Sequence, residues 1–228
     1  VIMPDHVHIL LQVTEFMEKP LGVVIARFKA RVKEKAGGLL LWQAGFNDSI
    51  IWAGRDLHAV YRYVDDNPRR LLVRREYPEW FDRVREVRIG DEQYEAYGNM
   101  LLLRHPWLVY VHVRKHWSED ERAAYARRLL MLAAGGSVLA GAFISPFERE
   151  IRERAQARGS RTILVAAEEW GERYKPPRSD FELCSRGRLL ILNTRRFSIP
   201  PRATITYGQA HELNRLGEAA VSLLTATN

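Results

Sequence analysis

The sequence has little cysteine and no long apolar run, and these shortages exclude several classes of protein. Cys184 is the one cysteine in 228 residues, so an internal disulfide is excluded and a reducing, cytosolic setting is favoured. No apolar stretch reaches the roughly 20 residues that a membrane-spanning helix needs, so we expect no membrane partner. A Gly-x-Gly-x-x-Gly fingerprint and a P-loop are both missing, so the sequence predicts no particular nucleotide cofactor.

Basic residues exceed acidic ones, but no basic tail concentrates the excess. The chain holds 35 Lys and Arg against 28 Asp and Glu, a formal net charge of +7. Such a surplus is compatible with a nucleic-acid partner, yet many basic proteins bind none. The placement of individual basic side chains is therefore more informative than their number.

Two histidines lie two residues apart in an apolar segment near the start of the sequence. The run from Met3 to Leu11 is rich in apolar and β-branched residues, which predicts a strand. Alternate residues of a strand share one face, so His6 and His8 are expected to point the same way. Two imidazoles placed in this way supply two ligands of a metal site, which would suit chemistry on a phosphodiester. The simpler interpretation is a pair of ordinary, half-exposed histidines.

A short helix is predicted about fifty residues further along the chain. Asp56 is a suitable N-cap for it. Pro68 is expected to end it, because proline disfavours the helical conformation of the residue before it. Apolar residues recur at a spacing of three and four, which indicates one buried stripe. These residues are Leu57, Val60, Tyr61 and Val64.

Tyr63 and Asn67 are four residues apart, so they project from one face of that helix, away from the stripe. A carboxamide oxygen is a suitable third ligand for Mg²⁺ or Mn²⁺. A phenol beside such a metal can act as a nucleophile toward phosphorus. Tyr61 is the competing nucleophile, but its place on the apolar stripe indicates a core residue.

Three stretches, in this order and at this spacing, resemble the single-tyrosine HUH transposases, and within them the REP-associated tyrosine transposases. The stretches are Met-Pro-Asp-His-Val-His-Ile-Leu-Leu (3–11), Leu-Trp-Gln-Ala-Gly-Phe-Asn-Asp (41–48) and Tyr-Val-Asp-Asp-Asn-Pro (63–68). The resemblance covers residues 1 to about 75, roughly a third of the chain.

This resemblance implies an enzyme that cleaves and rejoins DNA. His6, His8 and Asn67 would hold Mg²⁺ or Mn²⁺. Tyr63 would attack a phosphate of single-stranded DNA and leave a 5′-phosphotyrosine and a free 3′-hydroxyl. The implied partner is single-stranded or hairpin DNA, the implied setting is cytoplasmic and nucleoid-associated, and a homodimer is a further expectation. A DNA-binding relic of a transposase that no longer cleaves is the main alternative.

The sequence departs from the family pattern at both ends of the matching region. Family members carry a strand before the histidine strand, so the resemblance implies that the chain, which begins at Val1, lacks its N-terminal strand. After Pro68 the family often has a small residue and then Gly-Leu, whereas Arg69 and Arg70 follow here. A large C-terminal region is the third difference.

A basic helix is predicted over residues 20–36. Apolar residues from Leu21 to Val32 form an inward stripe, and rows of Lys and Arg flank it at i,i+4 spacing. Such rows suit contact with a DNA backbone, although a solvated helix face would look the same. The predicted DNA-binding residues are Arg27, Lys29, Arg31, Lys33, Arg69 and Arg70.

The sequence pattern changes near residue 88, which predicts a transposase domain, 1–88, and a second domain, 89–228. For the first domain the resemblance implies an α+β, ferredoxin-like fold whose antiparallel sheet carries the histidines. In the second, apolar strands alternate with helices, which predicts a parallel sheet of Rossmann-like α/β architecture. Ser118 and Ser145 each stand three residues before a glutamate, the spacing of a capping box at a helix start.

Ligands of Rossmann-like sheets bind beyond the carboxyl ends of the strands, which makes 141–145 and 166–173 the candidate loops. The helix that starts at Ser145 would suit a phosphate. A nucleotide or phosphosugar binder acting through this domain is therefore a third functional hypothesis, and a purely structural or dimerising domain is its alternative. The topology also loosely resembles the Rossmann-like domain of DNA-processing proteins that protect single-stranded DNA.

Overall fold

The chain forms two compact units, Val1–Arg69 and Arg70–Asn228. The computed structural model describes residues 1–38, 42–51, 57–114, 116–172 and 174–227. Within them the fold is α+β with one six-stranded mixed sheet. The division lies earlier than the predicted boundary at 88/89, because the strand Arg83–Ile89 pairs with another strand of the second unit. Residues 77–88 are therefore part of the second unit and not a linker.

The described residues of the first unit contain helix α1 (Leu21–Lys35) and most of helix α2 (Leu57–Glu76), whose last turns belong to the second unit. The basic helix expected over 20–36 is therefore present. The antiparallel sheet expected to carry the histidines is not seen among these residues, where the one β-type pairing is an isolated bridge between Ile2 and Val7. The predicted N-cap, Asp56, lies outside the described residues.

Helix α2 continues through Pro68, contrary to the prediction that it ends there. Proline has no N–H, so the carbonyl four residues earlier loses its helical donor. That carbonyl belongs to Val64, and the side-chain amide of Asn67 lies 3.5 Å from it and 2.9 Å from the carbonyl of Tyr63. The asparagine thus supplies a donor where the proline removed one, which explains why the helix is not interrupted.

The second unit places helices around one sheet. Its strands lie in the order β1-β2-β6-β5-β4-β3, with β1, β2 and β6 antiparallel and β3 to β6 parallel. The elements are β1 (Arg83–Ile89), β2 (Glu92–Gly98), β3 (Leu108–Tyr110), α3 (Glu119–Ala134), β4 (Val138–Gly141), α4 (Pro146–Ala157), β5 (Thr162–Ala166), α5 (Arg178–Ser185), β6 (Leu189–Thr194) and α6 (Tyr207–Thr227). Short 3₁₀ turns occupy Pro78–Phe81 and Met100–Arg104.

The parallel strands and their helices match the sequence-based prediction closely. Both expected capping boxes form: the Ser118 hydroxyl accepts from the backbone of Glu121, and the Ser145 hydroxyl from that of Glu148. Each glutamate carboxylate accepts in return from the backbone N–H of its serine. The starts of α3 and α4 are therefore fixed by local sequence.

The sheet is covered on both faces, as successive residues of β6 show. Leu190 and Leu192 pack in the cluster that includes α6. Leu189 and Ile191 pack on the other face, with Cys184 of α5. Strands β3 to β6 each lie beside the preceding one, so the parallel part contains no reversal of strand order. A doubly wound Rossmann sheet binds ligands at such a reversal, and this sheet has none within its parallel strands.

Burial differs sharply between the units. Among the described residues of the first unit, Met3 and Val64 are the buried hydrophobic ones, and α1 contains no buried residue. The second unit buries whole strands; every residue of β6 is buried. None of the helices within the described ranges is long and apolar enough to cross a membrane.

Candidate metal and nucleophile site

A tight turn places the two histidines on one side of the backbone. The His8 N–H donates to the carbonyl of Val1 at 2.9 Å, and the Met3 N–H donates to that of His6 at 2.8 Å. Residues 1–3 and 6–8 thus pair around Pro4 and Asp5 as a miniature hairpin. Residues 6–8 are expected from the sequence to form a strand of a sheet. Among the described residues they pair instead with residues 1–3, immediately before the turn.

The imidazole rings meet edge to face, with their Nε2 atoms 3.0 Å apart. Two nitrogens that each bind one ion at about 2.1 Å, with about 90° between the bonds, are about 3.0 Å apart. His6 and His8 are therefore spaced as two adjacent ligands of a single octahedral ion would be. Alternation along the backbone, as predicted, gives them a shared side.

The two imidazoles have different surroundings. The Asp5 carboxylate lies 2.7 Å from Nδ1 of His6 and accepts a hydrogen bond from it. In that tautomer Nε2 of His6 is the nitrogen that carries the lone pair. Burial lowers the pKa of His8, and the nearby His6 and the N-terminal ammonium lower it further. The lowered pKa favours the neutral imidazole of His8, the form that binds a metal.

Tyr63 lies beside the pair. Its ring centroid is 6.1 Å from that of His8, with the rings nearly perpendicular, and its side chain remains partly exposed. Tyr63 and Tyr61 are both exposed on α2, and it is the Tyr63 ring that contacts His8. All four predicted site residues lie in the first unit, and His6, His8 and Tyr63 are neighbours through their rings. Tyr61, predicted as core, is half exposed.

Asn67 stands one turn after Tyr63 and has a structural task. Its Nδ2 donates to the backbone carbonyl of Tyr63 in the same helix. Its Oδ1 is therefore the atom that can accept a hydrogen bond or bind a cation. Among the described residues, no group of three or more His, Cys, Asp or Glu side chains is arranged to hold a metal ion. A third protein ligand would therefore be a different donor, such as this carboxamide oxygen.

Lys29 does not present its charge to solvent as predicted. Its Nζ donates to the carbonyl of Gln43 at 2.8 Å and also to that of Gly45, and lies 5.8 Å from the ring centre of Trp42. The lysine therefore holds the loop after α1. This contact gives a role to the Trp-Gln motif that sequence reasoning could not explain, and the loss of Lys29 is expected to release that loop.

The other predicted DNA contacts fall into two groups. Arg69 forms a two-pronged ion pair with Asp66, at 2.6 and 2.8 Å, which raises the pKa of the guanidinium. Arg70, in the second unit, lies over the ring of Phe181 at 5.4 Å. Both arginines are thus engaged within the protein. The predicted DNA contacts that remain exposed along α1 are Arg27, Arg31 and Lys33.

The phosphate site expected at the start of α4 is taken by a side chain of the protein. Glu148 is only 2% exposed, and its carboxylate accepts from the N–H of Ser145 at 3.0 Å and from that of Val113 at 2.8 Å. A buried carboxylate already neutralises this helix end and would repel a phosphate. Sequence reasoning saw the capping box but not its contact with the loop after β3.

The second candidate loop is likewise held by internal contacts. Asn193, at the end of β6, accepts from the Glu168 N–H and donates to the Glu168 carbonyl. The Glu168 carboxylate accepts from the indole of Trp170 and the hydroxyl of Tyr174, whose rings stack at 3.9 Å. Residue 173 of this loop lies outside the described ranges. Glu168 and Trp170 of this loop are thus engaged in contacts within the protein.

Comparison with known proteins gives no relative: no family model, no curated protein and no solved structure matches the chain. The functional argument therefore depends on the geometry of the first unit.

Proposed function

We propose that this chain is a metal-dependent transposase of the single-tyrosine HUH type, acting on single-stranded or hairpin DNA. The observation that carries the proposal is the convergence of His6, His8 and Tyr63, with imidazole nitrogens at 3.0 Å and the phenol ring beside them. A pair of nitrogen ligands next to a phenol combines phosphate activation and a nucleophile in one place.

The proposed reaction exchanges one phosphodiester for another. The hydroxyl oxygen of Tyr63 attacks phosphorus, a new P–O bond forms to tyrosine, and the bond from phosphorus to the 3′-oxygen breaks. The phenol proton passes to solvent, and the departing 3′-oxygen takes up a proton. A later attack by a 3′-hydroxyl reverses these steps, so rejoining consumes no ATP because the phosphotyrosine conserves the bond.

The residues suited to holding the ion are His6, His8 and the Oδ1 of Asn67, and Asp5 orients the first imidazole. A bound Mg²⁺ or Mn²⁺ would polarise a non-bridging phosphate oxygen and offset charge in the transition state. The exposed cations of α1 would hold the DNA backbone.

The direct test is formation of a covalent protein–DNA adduct. The chain is mixed with hairpin-flanked single-stranded DNA and Mg²⁺ or Mn²⁺, and the adduct is resolved by denaturing electrophoresis. We expect an adduct that Tyr63→Phe abolishes and that Tyr61→Phe, the matched control on the same helix, retains. An adduct of wild-type yield in Tyr63→Phe would reject the nucleophile.

The competing function is DNA binding without cleavage. Engagement of Lys29 and Arg69 inside the protein leaves fewer cations for DNA than the sequence suggested, which favours modest affinity. Binding of the same DNA with no adduct in either metal would establish the non-cleaving alternative. Nucleotide or phosphosugar binding by the second unit is a weaker candidate, because Glu148 stands at the expected phosphate position.

A further inference from the structure

The parallel strands begin at the end of the sheet that lies opposite the two candidate loops. This end carries a concentration of arginine that no part of the proposed reaction uses. Four connections lead into the parallel strands β3 to β6, and they contain no acidic residue. Their sequences are Arg-His-Pro-Trp (104–107), Gly-Gly-Ser (135–137), Arg-Gly-Ser-Arg (158–161) and Arg-Gly-Arg (186–188).

Backbone hydrogen bonds place the centre of this edge in a row. The carbonyls of Trp107, Arg161 and Arg188 each accept from an N–H at the start of the neighbouring strand. Adjacent strands are about 4.8 Å apart, so the row spans about 14 Å over four strands. We call the surface formed by His105, Trp107, Arg158, Arg161 and Arg188 the arginine edge.

Trp107 is the aromatic member of the arginine edge. Its side chain is 62% exposed, an unusual degree of exposure for a tryptophan. The ring lies edge-on to His105, with centroids 6.0 Å apart, so one indole face remains open to a partner. An exposed ring among cations is the combination that single-stranded nucleic acids use.

Hydrogen-bond donors outnumber acceptors at this edge, whichever tautomer His105 adopts. The backbone N–H of Trp107 lies 3.3 Å from Nδ1 of His105. A guanidinium nitrogen of Arg161 lies 3.3 Å from Nε2 of the same ring. A neutral imidazole has only one lone-pair nitrogen, so one of these donors faces another N–H. An anionic oxygen placed here would accept from that donor and relieve the conflict.

Arg188 extends the donor surface toward β5. Its guanidinium lies 3.3–3.6 Å from the position that a Cβ of Gly159 would occupy, so the arginine rests on the bare backbone of that loop. Gly159 also has a φ of +86°, which favours glycine there. Arg158 follows directly on helix α4, where a cation also complements the helix end. Arg161 and Arg188 have no such capping position.

We propose that the arginine edge binds a short stretch of single-stranded nucleic acid, with a base stacked on Trp107 and phosphates held by Arg161 and Arg188. The row of about 14 Å accommodates two to three nucleotides at the roughly 6 Å spacing of an extended strand, a number compatible with a small platform. The contacts involve phosphate and base faces, the chemistry that single-stranded DNA and RNA share.

The test measures binding of fluorescein-labelled 12-mers by anisotropy, with the full chain in EDTA. All proteins carry Arg27→Ala, Arg31→Ala and Lys33→Ala, so that the basic helix of the first unit does not contribute. The oligomers are dT₁₂, rU₁₂, an abasic 12-mer and a 12-bp duplex. The variants are Trp107→Ala and the double variant Arg161→Ala/Arg188→Ala, and the matched control is Arg127→Ala/Arg128→Ala on exposed positions of α3.

We expect Trp107→Ala to weaken dT₁₂ binding about tenfold. The abasic 12-mer should bind the parent protein, which carries only the three α1 substitutions, as weakly as dT₁₂ binds that variant. The double variant should lower the slope of log K against log salt by about 1.4, for two lost phosphate contacts, while the α3 control stays within about twofold. Equal affinities for dT₁₂ and rU₁₂ support contacts to the phosphates and base faces that DNA and RNA have in common. A preference for one oligomer identifies DNA or RNA as the partner.

Two results would overturn the assignment. One is equal dT₁₂ affinity in the Arg161/Arg188 double variant and the α3 control; the other is equal affinity for the abasic and dT₁₂ oligomers together with an unchanged Trp107→Ala variant. Thermal melts of each variant confirm folding, which the surface position of these side chains should preserve. EDTA removes the divalent ion, and the three substitutions in α1 remove its exposed cations. The measurement therefore does not depend on the proposed transposase reaction, and a negative result would not count against that proposal.

Discussion

The two units of this protein differ in how far they bury their apolar side chains. The second unit buries continuous strands between helices, while the described part of the first buries Met3 and Val64 and leaves its other large apolar side chains partly or fully exposed. Yet the histidine pair and the tyrosine lie in the first. Nucleophiles and ligands need access to substrate, so the less buried unit is where such groups are usable. The difference teaches that burial alone would direct attention away from the unit in which the histidines and the tyrosine lie.

The largest contrast is expected from matched truncations of isoleucine. Ile191→Ala, at a position 1% exposed in β6, should cost about 3–5 kcal/mol of unfolding free energy through lost burial and a cavity. Ile25→Ala, half buried in α1, should cost about 1 kcal/mol or less. Denaturant unfolding followed by circular dichroism measures both. Equal costs would contradict this difference between the units.

The next contrast appears at high pH. Burial raises the pKa of Tyr94 and that of Tyr97 to about 12, whereas an unfolded chain releases these protons near 10. The unfolded state thus holds fewer protons between pH 10 and 12, so stability should fall across that window, by about 2–3 kcal/mol per tyrosine. Absorbance at 295 nm follows the titration. Ionisation of both phenols near pH 10 in the folded protein would contradict their burial.

A smaller effect separates the lysine that holds a loop from its neighbours. Lys29→Met should cost about 1 kcal/mol and speed hydrogen exchange in residues 42–46, because two carbonyls lose their donor. Arg31→Met, on an exposed position of the same helix, should leave exchange unchanged and weaken DNA binding instead. Identical exchange in the two variants would contradict the role assigned to Lys29.

The smallest effect concerns acid pH. The pKa of His8 is lowered in the folded state, chiefly by burial, so the unfolded state binds the extra proton first as pH falls. Stability from this group is therefore present above about pH 6.5 and declines below it, and metal affinity should decline in the same direction. Titration of the His8 ring by NMR checks this. A midpoint at or above 6.5 would reverse the sign.

Local rules predicted the second unit well, since its helix starts are encoded within a few residues. The capping boxes at Ser118 and Ser145 and the alternation of β4 to β6 formed as expected. The hairpin β1–β2 was missed because a bulge between Val84 and Val87 breaks the period of two and arginines fill the other positions. Glu95, buried in β2, is balanced by Arg83, a long-range pairing that no local pattern reveals.

The candidate site was predicted in part for the same reason. Alternation sufficed to put His6 and His8 on one side, and helical spacing to relate Tyr63 to Asn67. The continuation of α2 through Pro68 was not foreseen, because it depends on an amide that replaces the missing donor. The engagement of Lys29 depends on a loop fourteen residues away, which spacing along a helix cannot show.

The central claim is that His6 and His8 bind one ion beside Tyr63, and pulsed EPR on the Mn²⁺-loaded chain tests it most directly. Electron spin-echo modulation from ¹⁴N should report two imidazole nitrogens per Mn²⁺ in wild type and one in either His6→Ala or His8→Ala. Tyr63→Phe should keep both couplings, because the phenol is proposed as the nucleophile and not as a ligand. Bound Mn²⁺ with no nitrogen coupling in the wild-type protein would contradict the account.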